Sequence, residues 1–246
     1  MSSRTEMSIE LMVLAGGFGT RLRGAVPDLP KPMAPINGVP LLKLQLDHWI
    51  KQGQRNFIFL LYYEAQSIIK LLLEQSQRYG NSVKIRWLIE EEPLGTGGSI
   101  ANAVTKLKLK GAVLIANADT WLDDGLIAIR KEIEPTIAVI KVKNTSRYGS
   151  IECRSDGLVR SFVEKRMDDS NEKPGIINAG LYKLSADLFS HKTKQNFSIE
   201  TEILPRLVKT NLLRSSILHG NFFDIGVPAD YYKFCNWQKT QEDICG

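Results

Sequence analysis

The chain has 246 residues, of which 43% are hydrophobic and 24% charged, and it carries a net charge of +5. We expect one domain, residues 1–246, because this length and composition suit a single full hydrophobic core. The Lys and Arg residues are scattered, which disfavours nucleic acid as a partner and leaves small anionic substrates compatible. No apolar leader opens the chain, and its longest apolar run, Phe57–Tyr63, is too short to span a bilayer, so we expect a cytoplasmic protein without membrane contact.

The three cysteines and three histidines are isolated along the sequence. The cysteines are odd in number and have no histidine at metal-ligand spacing, so we predict neither a disulfide framework nor a zinc site. No Ser/His/Asp arrangement is recognisable. The sequence therefore disfavours zinc chemistry and a serine nucleophile.

In the first half of the chain, apolar runs alternate with amphipathic patterns. The runs are apolar nearly throughout, as is typical of strands in a parallel sheet that helices cover on both faces. We predict strands at Leu11–Leu14, Phe57–Leu61, Val83–Ile89 and Ala112–Ala116, and helices at Leu41–Gln52, Ser67–Tyr79 and Ser99–Leu107. This order predicts an α/β fold, a Rossmann-like, mixed but mostly parallel sheet flanked by helices, with its ligand site at the carboxyl ends of the strands.

The pattern changes after Thr136, where short extended runs indicate an antiparallel or mixed extension of the sheet. These runs are Thr136–Lys143, Gly149–Cys153, Leu158–Glu164 and Ile176–Tyr182, and helical patterns follow at Ser198–Thr210 and Pro228–Thr240. No internal repeat or linker divides the chain.

A glycine-rich loop directly follows the first predicted strand. Glycines at such a position let backbone N–H groups approach a phosphate, because no Cβ intervenes. Arg21 contributes a planar fork and Lys31 a movable point charge, a combination that suits a polyphosphate. The loop consists of Leu14, Ala15, Gly16, Gly17, Phe18, Gly19, Thr20, Arg21 and Leu22, and Lys31 and Pro32 follow it. We therefore predict an enzyme that acts on a nucleoside triphosphate.

Two better-known phosphate loops fit this segment badly. A P-loop requires Gly-x-x-x-x-Gly-Lys-Ser/Thr, and no lysine follows these glycines at that spacing. The dinucleotide fingerprint would begin at Gly17 but has Leu22 in place of its third glycine, which disfavours a dehydrogenase.

Two aspartates more than a hundred residues apart are candidate metal ligands. Asp119 follows a predicted strand, and Asp224 lies between an aromatic strand end and a helix that begins with proline. Either residue alone is typical of a helix cap or a turn. A triphosphate enzyme, however, needs a hard divalent cation, and Mg²⁺ is usually held by one or two carboxylates together with phosphates and waters. Asp123 and Asp124 are alternatives, although their position favours the start of a helix.

The string Gly-Gly-x-Gly-Thr-Arg-Leu followed by Lys-Pro closely resembles the signature of the sugar-1-phosphate nucleotidyltransferases. Further segments match that family in order along nearly the whole chain. Glu90, Pro93, Leu94, Gly95, Thr96, Gly97 and Gly98 resemble its base-recognition loop; Asn117-Ala118-Asp119 and Phe223-Asp224-Ile225-Gly226 resemble its two metal segments; Tyr148-Gly149, Val163-Glu164-Lys165 and Asn178-Ala179-Gly180 resemble its sugar and sugar-phosphate segments. Ala118 replaces the usual glycine, so the local backbone is either ordinary or a strained alanine.

The resemblance implies an in-line displacement in which an oxygen of a sugar 1-phosphate attacks the α-phosphorus of a nucleoside triphosphate and pyrophosphate leaves. It assigns Arg21 to the leaving phosphates, Lys31 to the α-phosphate and Lys165 to the sugar phosphate, with Mg²⁺ on Asp119 and Asp224. Nucleotide contacts are expected at Leu14, Ala15, Gly16, Gly17, Gly19, Thr20, Glu90, Pro93, Gly95, Thr96 and Asn117, and sugar-phosphate contacts at Gly149, Glu164, Lys165, Asn178 and Gly180. Residues 1–135 would bind the nucleotide and residues 136–246 the sugar phosphate.

The identity of the base depends on Glu90. A carboxylate can accept hydrogen bonds from two adjacent donors, and guanine presents such a pair, so we predict GTP, with UTP as the alternative. The segments around Pro32 and Gly95 look most like those of D-glycero-D-manno-heptose 1-phosphate guanylyltransferases, with mannose 1-phosphate guanylyltransferases as the nearest competitor. The sequence leaves two other functions open, a cytidylyltransferase of the same fold and a non-catalytic sugar-nucleotide-binding regulator. It also leaves open whether the protein forms a homo-oligomer.

Overall fold

The computed structural model describes residues 9–163, 173–190, 192 and 195–245, and side chains up to residue 241. The strands are β1 (Leu11–Leu14), β2 (Pro35–Ile36), β3 (Val39–Pro40), β4 (Asn56–Leu61), β5 (Lys84–Ile89), β6 (Ala112–Asn117), β7 (Thr120–Leu122), β8 (Thr136–Val142), β9 (Ser150–Cys153), β10 (Val159–Val163), β11 (Gly175–Ser185), β12 (Arg214–Leu218) and β13 (Phe222–Asp224). The helices are α1 (Leu41–Lys51), α2 (Ala65–Tyr79), α3 (Gly95–Leu107), α4 (Gly125–Arg130), α5 (Leu204–Lys209) and α6 (Pro228–Cys245), and a π-helical turn, Ile199–Ile203, precedes α5.

The central sheet is mixed, and the part that the first half of the chain forms is parallel. Its order is β10-β9-β11-β6-β1-β4-β5, and β8 pairs with both β11 and β12. The strands β6, β1, β4 and β5 are parallel to one another, whereas β11 runs antiparallel to β6, β8 and β9. The predicted fold class is therefore confirmed, including the change to antiparallel pairing in the second half of the chain.

Helices cover both faces of this sheet because successive side chains of each central strand are apolar. Leu11 and Val13 pack with α1 and α2 on one face, while Met12 between them packs with α3 on the other. All three side chains are 0% exposed. Since alternate residues of a strand point to opposite faces, a continuous apolar run requires a helix layer on each side.

The strand β1 has the predicted bounds, but α3 begins four residues before the predicted start. Its glycine-rich first turn is helical because Gly97 N and Gly98 N both donate to Phe197 O, at 2.9 and 3.3 Å. Those N–H groups have no partner within a helix, so a tertiary acceptor compensates for the poor helix propensity of glycine.

The sequence patterns also missed several short elements. The strands β2, β3, β7 and β12 were not predicted, and the predicted helix Ser198–Thr210 is a π-helical turn continued by α5. Short edge strands and two-residue ribbons lack enough alternation to be recognised from sequence. Within the part of the chain that the structure describes, no helix combines the length and apolar character needed to cross a membrane.

Replacing Gly98 by alanine should destabilise the fold by about 1–3 kcal/mol, the usual range for an overpacked buried site. A Cβ at Gly98 would lie 2.2 Å from the backbone oxygen of Gln195. Gly24→Ala is the matched control, because no atom lies within 4 Å of a Cβ built there. Urea unfolding of both variants measures the difference, and equal stabilities would contradict the close packing of α3 on residues 195–197.

Candidate active site

The carboxyl ends of four parallel strands bring the predicted nucleotide-binding segments together. Leu14 at the end of β1 is in register with Asn117 at the end of β6, and Ala118 N donates to Leu14 O at 3.1 Å. On the other side, Ala15 N donates to Leu60 O of β4 at 3.0 Å, and β5 ends next to Glu90. The parallel register thus places the glycine loop between the segment of Asn117 and the segment of Glu90.

These segments surround a first cavity of about 340 Å³. It is lined by Leu14, Ala15, Gly16, Gly17, Phe18, Lys31, Pro32, Tyr62, Glu90, Pro93, Gly95, Thr96, Ser99, Asn117, Ala118 and Asp119. Two of the predicted nucleotide-binding residues, Gly19 and Thr20, are not part of this lining. Gly19 instead begins a helical turn with φ of +65°, and Thr20 is exposed on that turn.

Glu90 lies in this cavity with only 8% of its surface exposed. Its Oε2 accepts a hydrogen bond from Leu94 N at 3.1 Å, which fixes the carboxylate against its own loop. A carboxylate offers about four acceptor positions, so this bond leaves capacity for a ligand.

Lys31 reaches the site because Gly19 has no side chain. A Cβ at Gly19 would lie 2.9 Å from Cγ of Lys31, and the positive φ at that position also favours glycine. Lys31 Nζ donates to Asp119 Oδ2 at 2.9 Å, and the two side chains are 13% and 28% exposed. The ammonium group is therefore held at the cavity wall, next to the first candidate metal ligand.

The second candidate metal ligand, Asp224, is brought to the same place by a two-stranded ribbon. In this ribbon β13 runs antiparallel to β7, and Asp224 is paired with Thr120, the neighbour of Asp119. Ile225 N donates to Asp119 O at 2.8 Å, which fixes the two segments side by side. The structure thus brings together two aspartates that lie far apart in the sequence.

The negative charges of Asp119 and Asp224 repel each other at this short separation. Burial raises the pKa of Asp224, and the charge of Asp119 raises it further. Three cations, Arg147, Lys31 and Arg21, act in the opposite direction. A cation between the two carboxylates would remove the remaining repulsion, because it favours the ionised form of both.

The two carboxylates fit a hard divalent cation whose other ligands would come from phosphates and water. Asp119 and Asp224 supply carboxylate oxygens, the ligands that Mg²⁺ prefers. Among the described residues, no group of three or more His, Cys, Asp or Glu side chains is placed to hold a metal by itself. The alternative ligand Asp123 accepts hydrogen bonds from Trp121 Nε1 and from Asn221 N, so it has a structural role. Asp124 directly precedes α4 without a side-chain capping hydrogen bond, and neither residue lines the two cavities that contain Asp119.

A second cavity of about 390 Å³ adjoins the first, since Asn117 and Asp119 line both. Its other lining residues are Arg21, Thr120, Arg147, Tyr148, Gly149, Asn178, Ala179, Gly180, Ser198, Glu200, Thr201, Phe222 and Asp224. Three of the five predicted sugar-phosphate residues are in this lining. The other two, Glu164 and Lys165, lie outside the described residues.

Glycine is needed at position 180 for the two cavities to meet at Asn117. The residue has φ of +69°, and a Cβ there would lie 2.6 Å from Nδ2 of Asn117. Asn178 Oδ1 accepts a hydrogen bond from Gly180 N at 2.9 Å, which fixes this turn. At the substituted position, Ala118 is not among the described residues with positive φ, so its backbone is ordinary.

Comparison with known proteins identifies the family. A family model described as nucleotidyl transferase matches residues 10–241. The chain belongs to the nucleotidyl transferase family. It is 36% identical over 228 residues to a D-glycero-alpha-D-manno-heptose 1-phosphate guanylyltransferase of Campylobacter jejuni, and the match covers 92% of this chain and 98% of that protein. A mannose-1-phosphate guanyltransferase of Schizosaccharomyces pombe is 31% identical, with 91% of this chain and 62% of that protein covered.

Solved structures agree with this assignment. The crystal structure of HddC from Yersinia pseudotuberculosis superposes with a TM-score of 0.78 and 35% identity, and it covers 93% of this chain and 98% of that one. A second crystal structure of HddC, complexed with GMP-PN, has a TM-score of 0.77.

Arg147 is a residue of this nucleotidyl transferase that the sequence analysis did not select. Its Nη2 donates to Asp224 Oδ2 at 3.1 Å, and its Nη1 donates to Asp230 in the first turn of α6. The neighbouring Tyr148 has its pKa raised to about 12, chiefly by burial and then by the charge of Asp224. The sequence signal that could have identified Arg147 is its position directly before Tyr148-Gly149, a turn that the resemblance assigns to the sugar.

Tyr62 and Glu200 also line the cavities without having been selected. Tyr62 directly follows β4, where the sheet geometry alone would place a contact. Glu200 follows the N-terminal cap residue Ser198, and nothing in that local pattern distinguishes it from an ordinary first-turn acid.

Replacing Lys31 by alanine should lower the turnover of this nucleotidyl transferase by roughly 10²-fold or more, the range for losing one electrostatic contact to a transition state. Lys51→Ala, at an exposed position at the end of α1, is the control and should keep normal turnover. Steady-state kinetics with saturating substrates measures kcat for both. A near-normal kcat in the Lys31 variant would exclude the assigned role.

Proposed function

We propose that this nucleotidyl transferase transfers GMP from GTP to D-glycero-D-manno-heptose 1-phosphate, giving the GDP-sugar and pyrophosphate. The observation that carries the proposal is the pair of adjoining cavities, which share Asn117 and Asp119. Two phosphorylated substrates in these cavities would meet at the two aspartates and Lys31. The nearly full-length match to a relative named as a heptose 1-phosphate guanylyltransferase supports the choice of substrates.

Glu90 supports guanine as the base. One of its oxygens already accepts from Leu94 N, and the buried carboxylate lines the first cavity beside Gly95 and Thr96. The remaining acceptor capacity suits the adjacent N1–H and N2–H₂ donors of guanine, whereas uracil offers one such donor.

The chemistry that the chain must provide is the neutralisation and alignment of two polyanions. An oxygen of the sugar phosphate is already ionised near neutral pH, so the in-line attack on the α-phosphorus needs no general base. In our proposal the amides of Gly16 and Gly17 bind the triphosphate, Lys31 holds the α-phosphate, and Arg21 holds the departing pyrophosphate. Lys165 would orient the incoming sugar phosphate.

Asp119 and Asp224 would hold Mg²⁺ in this proposal. When bound, the ion supplies charge neutralisation to the phosphate oxygens on which negative charge develops. The task of the aspartates is then to fix that charge beside Lys31, which itself contacts Asp119.

Mannose 1-phosphate is the second candidate acceptor, because a relative named as a mannose-1-phosphate guanyltransferase is 31% identical to this chain. The chain spans only 62% of that relative, against 98% of the heptose relative. Sequence identity is higher to the heptose relative, at 36% against 31%, which favours the heptose. A non-catalytic regulator is disfavoured, because Arg21, Lys31, Asp119 and Asp224 are all retained.

The proposal is tested by measuring pyrophosphate release with each of the four nucleoside triphosphates and each of four sugar 1-phosphates, of heptose, mannose, glucose and N-acetylmuramic acid. We expect the highest kcat/KM with GTP and the heptose, and loss of activity when a chelator removes the divalent cation. Restoration by added Mg²⁺ is the control. A preference for UTP would contradict the role of Glu90, and a preference for mannose would select the second candidate.

Lys165→Ala should mainly raise the KM for the sugar 1-phosphate, because the lost contact orients that substrate and not the nucleotide. Lys173→Ala, at an exposed lysine eight residues later in the sequence, is the control. Initial rates at varied sugar phosphate and fixed saturating GTP measure the effect. An unchanged KM for the sugar phosphate would remove Lys165 from the site.

A further inference from the structure

One short stretch of polypeptide, residues 195–200, lies between the base-recognition loop and the second cavity. We call it the bridging segment. Its backbone is bonded to that loop, since Phe197 N donates to Leu94 O at 3.0 Å and Gly97 N donates to Phe197 O at 2.9 Å. Ile199 N donates to Thr96 Oγ1 at 2.9 Å. Thr96 lines the first cavity, so this bond connects the bridging segment to the cavity wall. The bridging segment therefore holds the base-recognition loop directly.

The carboxylate of Glu200 ends the bridging segment and accepts hydrogen bonds from three hydroxyl groups. Its Oε2 accepts from Thr96 Oγ1 at 2.8 Å and from Ser198 Oγ at 2.6 Å. Its Oε1 accepts from Tyr182 OH at 3.2 Å. Glu200 also lines the second cavity, so one side chain contacts both halves of the site.

The chain of hydrogen bonds continues to a predicted sugar-phosphate residue. Tyr182 is 0% exposed, and its hydroxyl accepts from Asn178 Nδ2 at 2.7 Å while donating to Glu200. Asn178 in turn holds the Gly180 turn through its Oδ1. The direction of each hydrogen bond in this network is fixed, because the carboxylate of Glu200 accepts and each hydroxyl group must therefore donate to it. The network thus joins Thr96 in the first cavity to Asn178 in the second.

We propose that Glu200 is a positioning residue that sets the base-recognition loop and the sugar-phosphate turn relative to each other. The inference rests on the proposed function for the identity of the two substrates. Removing the carboxylate releases Thr96 on one side and Tyr182 with Asn178 on the other, so both substrates lose alignment together. Hydrogen bonds to a charged group are stronger than neutral ones, so this carboxylate links the two cavities more firmly than a neutral side chain in its place would.

The test is Glu200→Gln, which keeps the shape of the side chain and places an amide donor where a hydroxyl group donates. We expect the KM for GTP and the KM for the sugar 1-phosphate each to rise by about tenfold, the range for hydrogen bonds lost to a charged group. The kcat at saturation of both substrates should stay within about threefold of the wild type. Glu202→Gln is the matched control, because Glu202 is exposed on the same turn and pairs with Lys192.

Two further variants separate the two sides of the network. Thr96→Val removes the hydroxyl on the nucleotide side and should raise the KM for GTP alone. Tyr182→Phe removes the hydroxyl on the sugar side and should raise the KM for the sugar 1-phosphate alone. These two variants also carry the test if Glu200→Gln does not fold.

Thermal unfolding distinguishes a positioning role from a merely structural one. If Glu200→Gln lowers the Tm and leaves both KM values equal to those of Glu202→Gln, the proposal is overturned. It is equally overturned if the KM of one substrate alone rises in Glu200→Gln, or if both single-sided variants raise both KM values equally. Failure of the proposed function would give a different result, because the wild-type protein itself would then transfer no guanylyl group to any sugar phosphate.

Discussion

The parallel pairing of β1 with β6 is the constraint on which the rest of the site depends. Its register sets Leu14 beside Asn117, so the glycine loop and the segment of Asp119 leave the sheet at the same edge. A slip of one residue in β1 would exchange the side chains that face α1 and α3 and would separate Leu14 from Asn117. The ribbon of β7 and β13 then adds Asp224 to the same edge.

The electrostatics of the site follow from this geometry. Burial, and then the charge of the nearby Asp119, raises the pKa of Asp224, and the cations Lys31 and Arg147 each contact one of the two carboxylates. The sheet and the ribbon of β7 and β13 fix these charged groups, which lie far apart in the sequence, at one edge. Substrate phosphates entering the cavities would add negative charge to a site that already holds its own cations.

Sequence reasoning predicted the elements with strong periodicity and the segments with distinctive residue strings. It placed β1 at its observed bounds and selected Asp224, although the ribbon that positions Asp224 was not predicted. It missed the first turn of α3, because helix propensity disfavours glycine and the compensating acceptor, Phe197 O, is a tertiary contact. Glu200 was missed for the same reason, since its partner Thr96 is 104 residues away and no local pattern marks the contact.

Arg147 connects the centre of the site to the last helix of the described chain. It pairs with Asp224 on one side and with Asp230 in the first turn of α6 on the other. Tyr231 of the same turn donates to Pro35 O, in the segment that follows Lys31. A shortened protein ending before Pro228 would therefore lose one of the two carboxylates that pair with Arg147 and the hydroxyl group that supports the segment after Lys31, so we expect the site to depend on α6.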